Sequence, residues 1–207
     1  QYLLQSGHTV TGEDRDASPT TDLLEKKGID VTIGYTEHFD AQLLIYSDAI
    51  PESHPTRAYS SGAGIPQLSY FEALGEVTKK SRTIAVAGTH GKTTTTGMLA
   101  KILRDAGKEP TAIVGSIVRD FESNFLAGSP ELFVVEACEY RDHLLKLSPK
   151  ILVITNMELD HTDYFPTIEA LQETFRAAVQ AVPHDGAIIT DPNDPLIANV
   201  LDAAIAT

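Results

Sequence analysis

Short apolar runs alternate with segments of helical hydrophobic spacing along most of the chain. Apolar runs of strand length occupy residues 83–87, 111–114, 132–136, 151–155 and 187–190. Helical spacing is present at residues 93–106, at residues 167–182 and from Pro195 onward, whereas residues 115–131 show neither pattern. Because strands and helices alternate, this part of the chain predicts a mainly parallel sheet of an α/β protein.

The first 80 residues show the same alternation in shorter pieces. Strands are predicted at residues 8–16, 30–34, 41–50 and 66–69, and helices at residues 18–29 and 70–80. Residues 2–7 have the pattern of a last helical turn that ends at Gly7, so the chain is expected to begin inside an element of a truncated protein. The polar residues 79–82 form the best linker candidate, which predicts two domains, 1–80 and 81–207.

Composition and charge narrow the class of protein. The chain has 207 residues, 42% hydrophobic residues and a formal net charge of −13, which indicates a folded protein without a basic surface for nucleic acid. Membrane insertion is not expected, since the apolar runs are far shorter than the roughly 20 residues that span a bilayer. The single cysteine, Cys138, excludes an internal disulfide and fits a cytoplasmic protein. We predict that it is a small, half-buried side chain rather than a nucleophile.

The stretch GTHGKTT, residues 88–94, has the glycines and the Lys-Thr ending of a phosphate-binding P-loop. Gly88 and Gly91 allow backbone amides to approach phosphate oxygens, Lys92 is placed to neutralise their charge, and Thr93 offers a hydroxyl to Mg²⁺. Val86 stands where the commonest P-loop pattern has its first glycine. The alternative is a Gly-Thr turn that caps a helix without a ligand, but the strand before the loop and the helix after it favour a nucleotide site.

Two further candidates follow predicted strands downstream. Glu136 ends the run LFVVE, and His161 lies beyond the run ILVIT, close to Asp160. Since ligands of open parallel sheets collect at the carboxyl ends of the strands, we expect Glu136 and His161 to share one edge with Lys92 and Thr93. A carboxylate and an imidazole beside a phosphate favour a divalent metal. Taken singly, Glu136 also fits a strand-end salt bridge and His161 an ordinary loop residue.

Four motifs in this order make the chain resemble the Mur ligases, which build the peptide of peptidoglycan. They are AGTHGKTTTT, VVEACEY, LKLSPKILVITNMELDH and TDYF, and the resemblance extends over nearly the whole chain. It implies an α/β fold in which residues 1–80 form part of a Rossmann-like domain for UDP-N-acetylmuramate. Residues 81–207 would form part of the central, P-loop ATP-binding domain. At position 90 the chain resembles the branch of the family that uses UDP-N-acetylmuramate as acceptor, which has His there. Other branches usually have Asn at this position.

The resemblance also implies a reaction. ATP would phosphorylate the carboxylate of UDP-N-acetylmuramate, and the amine of L-alanine would displace the phosphate in peptidoglycan biosynthesis. The chain is expected to be an inactive part of that ligase, and no protein partner is implied. Two alternatives stay open, namely a recycling ligase that attaches a tripeptide and a non-catalytic nucleotide-binding or nucleotide-sugar-binding module. A kinase or GTPase fits less well, because a Glu/His pair stands where such enzymes place an Asp.

Site residues follow from the same motifs, with ATP and Mg²⁺ as the implied cofactors. The catalytic residues would be Lys92, Glu136 and His161, and the metal ligands Thr93, Glu136 and His161. ATP would contact Gly88, Thr89, His90, Gly91, Lys92, Thr93 and Thr94, and the UDP-sugar would contact Asp14, Ser47 and His90. The chain departs from the family at Cys138, where an Asp is usual, and at Tyr46–Asp48, where the family has a pair of small residues.

Overall fold

A computed structural model describes residues 1–36 and 38–205 of the chain. The chain divides into two compact units, Gln1–Ala73 and Leu74–Thr207. Both units combine helices with parallel strands. The domain bounds 1–80 and 81–207 stay a prediction. Within the described ranges, no helix is long and apolar enough to cross a membrane.

The first unit contains two small sheets of two strands each. Its elements, with a helix that continues into the second unit, are α1 (Tyr2–Gln5), β1 (Thr11–Asp14), α2 (Pro19–Lys26), β2 (Asp30–Ile33), β3 (Leu44–Tyr46), α3 (Pro55–Ala63), β4 (Gln67–Ser69) and α4 (Tyr70–Thr78). Strand β1 pairs in parallel with β2, and β3 pairs in parallel with β4.

Local sequence explains where these elements begin and end. Helix α2 begins after Ser18, whose hydroxyl accepts from the amide of Thr21 at 3.2 Å while the Thr21 hydroxyl oxygen accepts from the amide of Ser18 at 2.8 Å. Strand β3 is much shorter than the predicted residues 41–50. It ends at Tyr46 because the next carbonyl, that of Ser47, accepts from the amide of Ile50 at 2.8 Å and turns the chain.

The second unit is built on a six-stranded sheet with the order β10-β9-β5-β8-β6-β7. Its further elements are β5 (Arg82–Ala87), α5 (Lys92–Asp105), β6 (Pro110–Val118), β7 (Ser123–Leu126), β8 (Ser129–Glu136), β9 (Ile151–Ile154), α6 (Ile168–Gln180), β10 (Ala187–Ile189) and α7 (Pro195–Ile205), with 3₁₀ segments at Arg119–Phe121 and Tyr140–Lys146. All neighbouring strands are parallel except β6 and β7.

The core of this unit lies along the central strands. Val86 of β5, Phe133 of β8 and Leu152 of β9 are fully buried, as is Phe175 of α6. Such continuous apolar runs are typical of strands that are covered on both faces. The buried strands hold the loops at their carboxyl ends in fixed positions, and the candidate site is formed from those loops.

The stretch 115–131, for which no regular structure was predicted, contains a hairpin. Strand β6 continues to Val118, and β7 returns beside it with Ala112 opposite Leu126. A register shift between Ile113 and Val118 interrupts the pairing, so the two-residue alternation that would indicate a strand is broken there. The antiparallel strand lies at the edge of the sheet, which is otherwise parallel as predicted.

Candidate active site

The P-loop connects β5 to α5 and depends on glycine at its first position. Gly88 has φ 123° and Gly91 has φ 79°, both outside the range that other residues prefer. A Cβ atom on Gly88 would lie 2.2 Å from Oγ1 of Thr155 and 2.8 Å from the carbonyl oxygen of Asn156, whereas one on Gly91 would meet nothing within 4 Å. Gly88 is therefore required both for its backbone angles and for close packing on the segment after β9.

That segment also fixes the shape of the loop through hydrogen bonds. The Thr89 hydroxyl donates to the carbonyl of Glu158 and accepts from its amide, both at 2.9 Å. The side chain of Asn156 accepts from the His90 amide at 2.8 Å and donates to the His90 carbonyl at 3.0 Å. These hydrogen bonds tie the P-loop to the segment after β9 through protein groups.

Lys92, the predicted phosphate-binding lysine, lies at the first position of α5 and turns back over the loop. Its ammonium donates to the carbonyls of Gly88 at 2.6 Å and Thr89 at 3.0 Å, and to Oε1 of Glu139 at 3.0 Å. The Glu139 side chain is only 1% exposed and that of Lys92 14%. An ammonium has three hydrogens to donate, so these three contacts use its full capacity.

Thr93 and Glu136, two predicted metal ligands, are in contact. The Thr93 hydroxyl donates to Oε1 of Glu136 at 2.9 Å, and Oε2 of Glu136 accepts from the amide of Gly115 at 2.6 Å. Among the residues that the structure describes, no three His, Cys, Asp or Glu side chains form a ready-made metal cage. Mg²⁺ usually binds one or two protein oxygens and completes its shell with water and phosphate oxygens. The adjacent Thr93 hydroxyl and Glu136 carboxylate fit this mode of Mg²⁺ binding.

His161, the third predicted metal ligand, lies near Glu139, which in turn contacts Lys92 of the P-loop. Its Nε2 lies 4.0 Å from Oε1 of Glu139, the atom that accepts from Lys92. The backbone of His161 has φ 51°, and its ring lies 4.8 Å from the ring of Tyr140. The structure therefore brings Lys92, Glu139 and His161 together, although the roles of Lys92, Glu136 and His161 in catalysis and metal binding stay predictions.

Two Tyr–Asp hydrogen bonds link the loop after β8 to the loop after β9, and we call these two bonds the crossed Tyr–Asp pair. The Tyr140 hydroxyl donates to Oδ2 of Asp163 at 2.7 Å, and the Tyr164 hydroxyl donates to Oδ2 of Asp142 at 2.5 Å. The second bond raises the pKa of Tyr164. Asp142, whose backbone has φ 57°, also accepts from the Thr174 hydroxyl of α6 at 2.5 Å. The pair connects the segment that carries Glu139 to the segment that carries His161.

The remaining predicted residues lie in exposed positions. Asp14 ends β1, where its carboxylate accepts from the Asp16 amide at 3.3 Å, and Ser47 directly follows β3. Both are at the carboxyl end of a parallel strand, as nucleotide-binding residues of such folds are. His90 is 64% exposed, with Nε2 at 3.5 Å from a carboxylate oxygen of Glu158. Thr94 is exposed in the first turn of α5. Their assignment to UDP-sugar or ATP stays a prediction.

Sequence reasoning missed three residues of this site. Glu139, Tyr140 and Asn156 contact the P-loop or His161, but none was assigned a role. Each lies within four residues of the end of β8 or β9. The rule that selected Glu136, namely proximity to the carboxyl end of a parallel strand, could have selected these residues too.

Cys138 lies between the two site glutamates and is half-buried. Burial raises the pKa of its thiol above the ordinary value; a backbone hydrogen bond with Tyr140 opposes this shift, and the charge of Glu139 adds to it. A thiol with a raised pKa is mostly protonated at neutral pH and reacts slowly, because the thiolate is the nucleophile. The environment supports the prediction that Cys138 is inert.

We therefore expect iodoacetamide at neutral pH to alkylate the native chain at least about tenfold more slowly than the chain unfolded in urea. The chain has one cysteine, so mass spectrometry can follow the alkylation of Cys138 as a single mass increase. The unfolded chain is the control for reagent quality. Equal rates in the two states would show that the thiol of Cys138 is accessible and not suppressed by burial.

Two protein-family models match the chain. Residues 86–206 match the Mur ligase middle domain, and residues 1–82 match the model described as Mur ligase family, catalytic domain. The first match begins within β5 and includes the P-loop, Glu139 and His161. The matched range therefore includes all the residues of the candidate site that belong to the second unit.

Curated relatives extend over nearly all of this chain. UDP-N-acetylmuramate--L-alanine ligase from Rubrobacter xylanophilus is 41% identical over 197 residues, which are 94% of this chain and 44% of the relative. The protein of the same name from Aquifex aeolicus is 37% identical over 203 residues, which are 97% of this chain and 45% of the relative. The chain spans less than half the length of these relatives.

Solved structures share the fold. UDP-N-acetylmuramate-alanine ligase from Thermotoga maritima superposes with a TM-score of 0.86 at 25% identity, over 96% of this chain and 47% of that chain. UDP-N-acetylmuramate:L-alanyl-gamma-D-glutamyl-meso-diaminopimelate ligase from Neisseria meningitides superposes with a TM-score of 0.85 at 29% identity, over 96% of this chain and 68% of that chain. The predicted fold class is confirmed.

Proposed function

Because the chain belongs to the Mur ligase family, we propose that it carries the UDP-sugar-binding and ATP-binding parts of an enzyme that joins L-alanine to UDP-N-acetylmuramate. The observation that carries this proposal is the P-loop, where Lys92 starts a helix and the Thr93 hydroxyl contacts Glu136 at 2.9 Å. The names of the curated relatives support the choice of substrates. The enzyme would act in the cytoplasm in peptidoglycan biosynthesis, on which cell shape and division depend.

The proposed reaction has two displacements. A carboxylate oxygen of UDP-N-acetylmuramate attacks the γ-phosphorus of ATP, the bond from that phosphorus to the bridging oxygen breaks, and ADP leaves. The nitrogen of L-alanine then attacks the acyl carbon, inorganic phosphate leaves, and the amide forms after the nitrogen loses a proton. Two anions must approach each other in the first displacement, so positive charge at the phosphates is the main requirement on the site.

The P-loop residues would meet that requirement. Lys92 would contact the terminal phosphates and offset their charge, while backbone amides of the loop would donate to phosphate oxygens. Thr93 and Glu136 would hold Mg²⁺, with His161 as the candidate ligand of a second ion. Bound there, the cations would screen the carboxylate from the triphosphate. His90 would contact ATP or the acceptor, with Thr89 and Thr94 beside the phosphates, and Asp14 and Ser47 would contact the UDP-sugar.

A recycling ligase is the second candidate. The Neisseria meningitides ligase, whose name pairs UDP-N-acetylmuramate with a peptide, superposes with a TM-score of 0.85 at 29% identity, compared with 0.86 at 25% identity for the Thermotoga maritima enzyme. Both candidates share the phosphate chemistry and the acceptor and differ in the amine. A third, non-catalytic candidate would bind nucleotide or nucleotide-sugar without turnover.

An ADP-release assay on the protein expressed from its complete reading frame separates these candidates. With ATP, Mg²⁺ and UDP-N-acetylmuramate, we expect ADP release that depends on L-alanine and that yields the alanyl product by mass spectrometry. The same mixture without an amine is the control. Release that requires the tripeptide instead would identify the recycling ligase, and ATP binding without amine-dependent release would favour the non-catalytic module.

A further inference from the structure

Glu139 is a buried carboxylate between two candidate catalytic side chains. Its side chain is 1% exposed, Oε1 accepts from Lys92 at 3.0 Å, and Nε2 of His161 lies 4.0 Å away. Within residues 1–36 and 38–205, no hydrogen-bond donor reaches Oε2, which is also buried. A buried carboxylate with one oxygen unsatisfied is costly, so its position depends strongly on the nearest positive charge.

Lys92 is that nearest positive charge, and the proposed function requires it elsewhere. Its three donors are used by Gly88, Thr89 and Glu139, so at least one contact must be given up before the ammonium can donate to a phosphate. If the contact with Glu139 is lost, the buried carboxylate is left beside an incoming polyanion without its lysine partner. The loss of the lysine partner and the repulsion between the carboxylate and the phosphates both oppose nucleotide binding, unless another cation supplies the missing positive charge.

We propose that Glu139 makes nucleotide binding at the P-loop depend on a divalent cation, an inference that rests on the proposed function. The carboxylate holds Lys92 against the loop and repels a triphosphate that arrives alone. A triphosphate that arrives with a divalent cation brings replacement positive charge to the neighbourhood of Glu139. Glu139 is thus a positioning residue for Lys92 and sets the preference of the site for the metal complex of ATP.

Calorimetric titration of the 207-residue chain with ATP, in Mg²⁺ and separately in EDTA, tests the proposal. Glu139→Gln keeps the shape of the side chain and removes its charge. We expect the variant to bind ATP in EDTA about tenfold more tightly than the wild type, with little change in Mg²⁺. Glu139→Asp, which keeps the charge, should retain the magnesium dependence of the wild type.

Glu131→Gln is the matched control, because it makes the same charge change at the exposed, opposite end of β8. It should bind ATP as the wild type does in both buffers. An unchanged magnesium dependence in Glu139→Gln overturns the proposal, and so does equal weakening in both buffers, which would identify Glu139 as a structural brace. Thermal unfolding of each variant verifies that it is folded. If the wild type binds no ATP even with Mg²⁺, the proposed function itself fails.

Discussion

Lys92→Ala is expected to reduce amine-dependent ADP release by about a thousandfold, because it removes the positive charge closest to the candidate phosphate site. It should also lower the free energy of unfolding by about 3 kcal/mol, since Glu139 would remain buried without its partner. The first effect is measured with the complete protein and the second by urea denaturation of the chain. Together the two measurements test whether Lys92 serves both the activity and the stability of the protein.

A double variant separates the two effects. Adding Glu139→Gln to Lys92→Ala removes the unpaired charge, so most of the lost stability should return while the activity stays low. Lys101→Ala, on the exposed side of the same helix, is the control for losing a lysine from α5. Near-normal ADP release in Lys92→Ala would contradict its role at the phosphates.

Gly88→Ala is expected to destabilise the second unit by about 3 kcal/mol or more and to abolish ATP binding. The new Cβ would lie 2.2 Å from Oγ1 of Thr155 and 2.8 Å from the backbone oxygen of Asn156, at a backbone φ of 123°. The Thr155 hydroxyl donates to the His90 carbonyl at 2.7 Å, so displacing it also disturbs the loop. Urea denaturation and ATP titration measure the two losses.

Gly91→Ala is the matched control in the same loop. Gly91 also has a positive φ, 79°, but an added Cβ would meet no atom within 4 Å. We expect a loss of only about 1 kcal/mol, from backbone strain alone. If the two glycine variants lost similar stability, packing against Thr155 and Asn156 would not be the reason that Gly88 is required.

The parts of the fold that could be predicted are those in which local sequence and tertiary context agree. The buried strands β5, β8 and β9 are continuous apolar runs, and the loop after β5 has glycines that its backbone angles require. The β6–β7 hairpin could not be predicted because its pairing is interrupted by a register shift. The register of such a pairing depends on the neighbouring strand, so it cannot be predicted from one short stretch of sequence.

The same distinction applies to the site. Lys92 and Thr93 are part of a local motif, so their residue types and spacing identify them. Glu139 is 47 residues away from Lys92 along the chain, and only the parallel pairing of β5 with β8 brings the two side chains together. Its burial is equally a product of the folded structure. A buried ion pair between distant residues has no signal in a single sequence beyond the strand end that precedes it.

The crossed Tyr–Asp pair has a consequence for how this region moves. Because Tyr140 bonds to Asp163 and Tyr164 bonds to Asp142, neither loop can leave the other without breaking both hydrogen bonds. The two hydrogen bonds therefore couple the local unfolding of one loop to that of the other. Displacement of Glu139 in one loop would thereby favour displacement of His161 in the other.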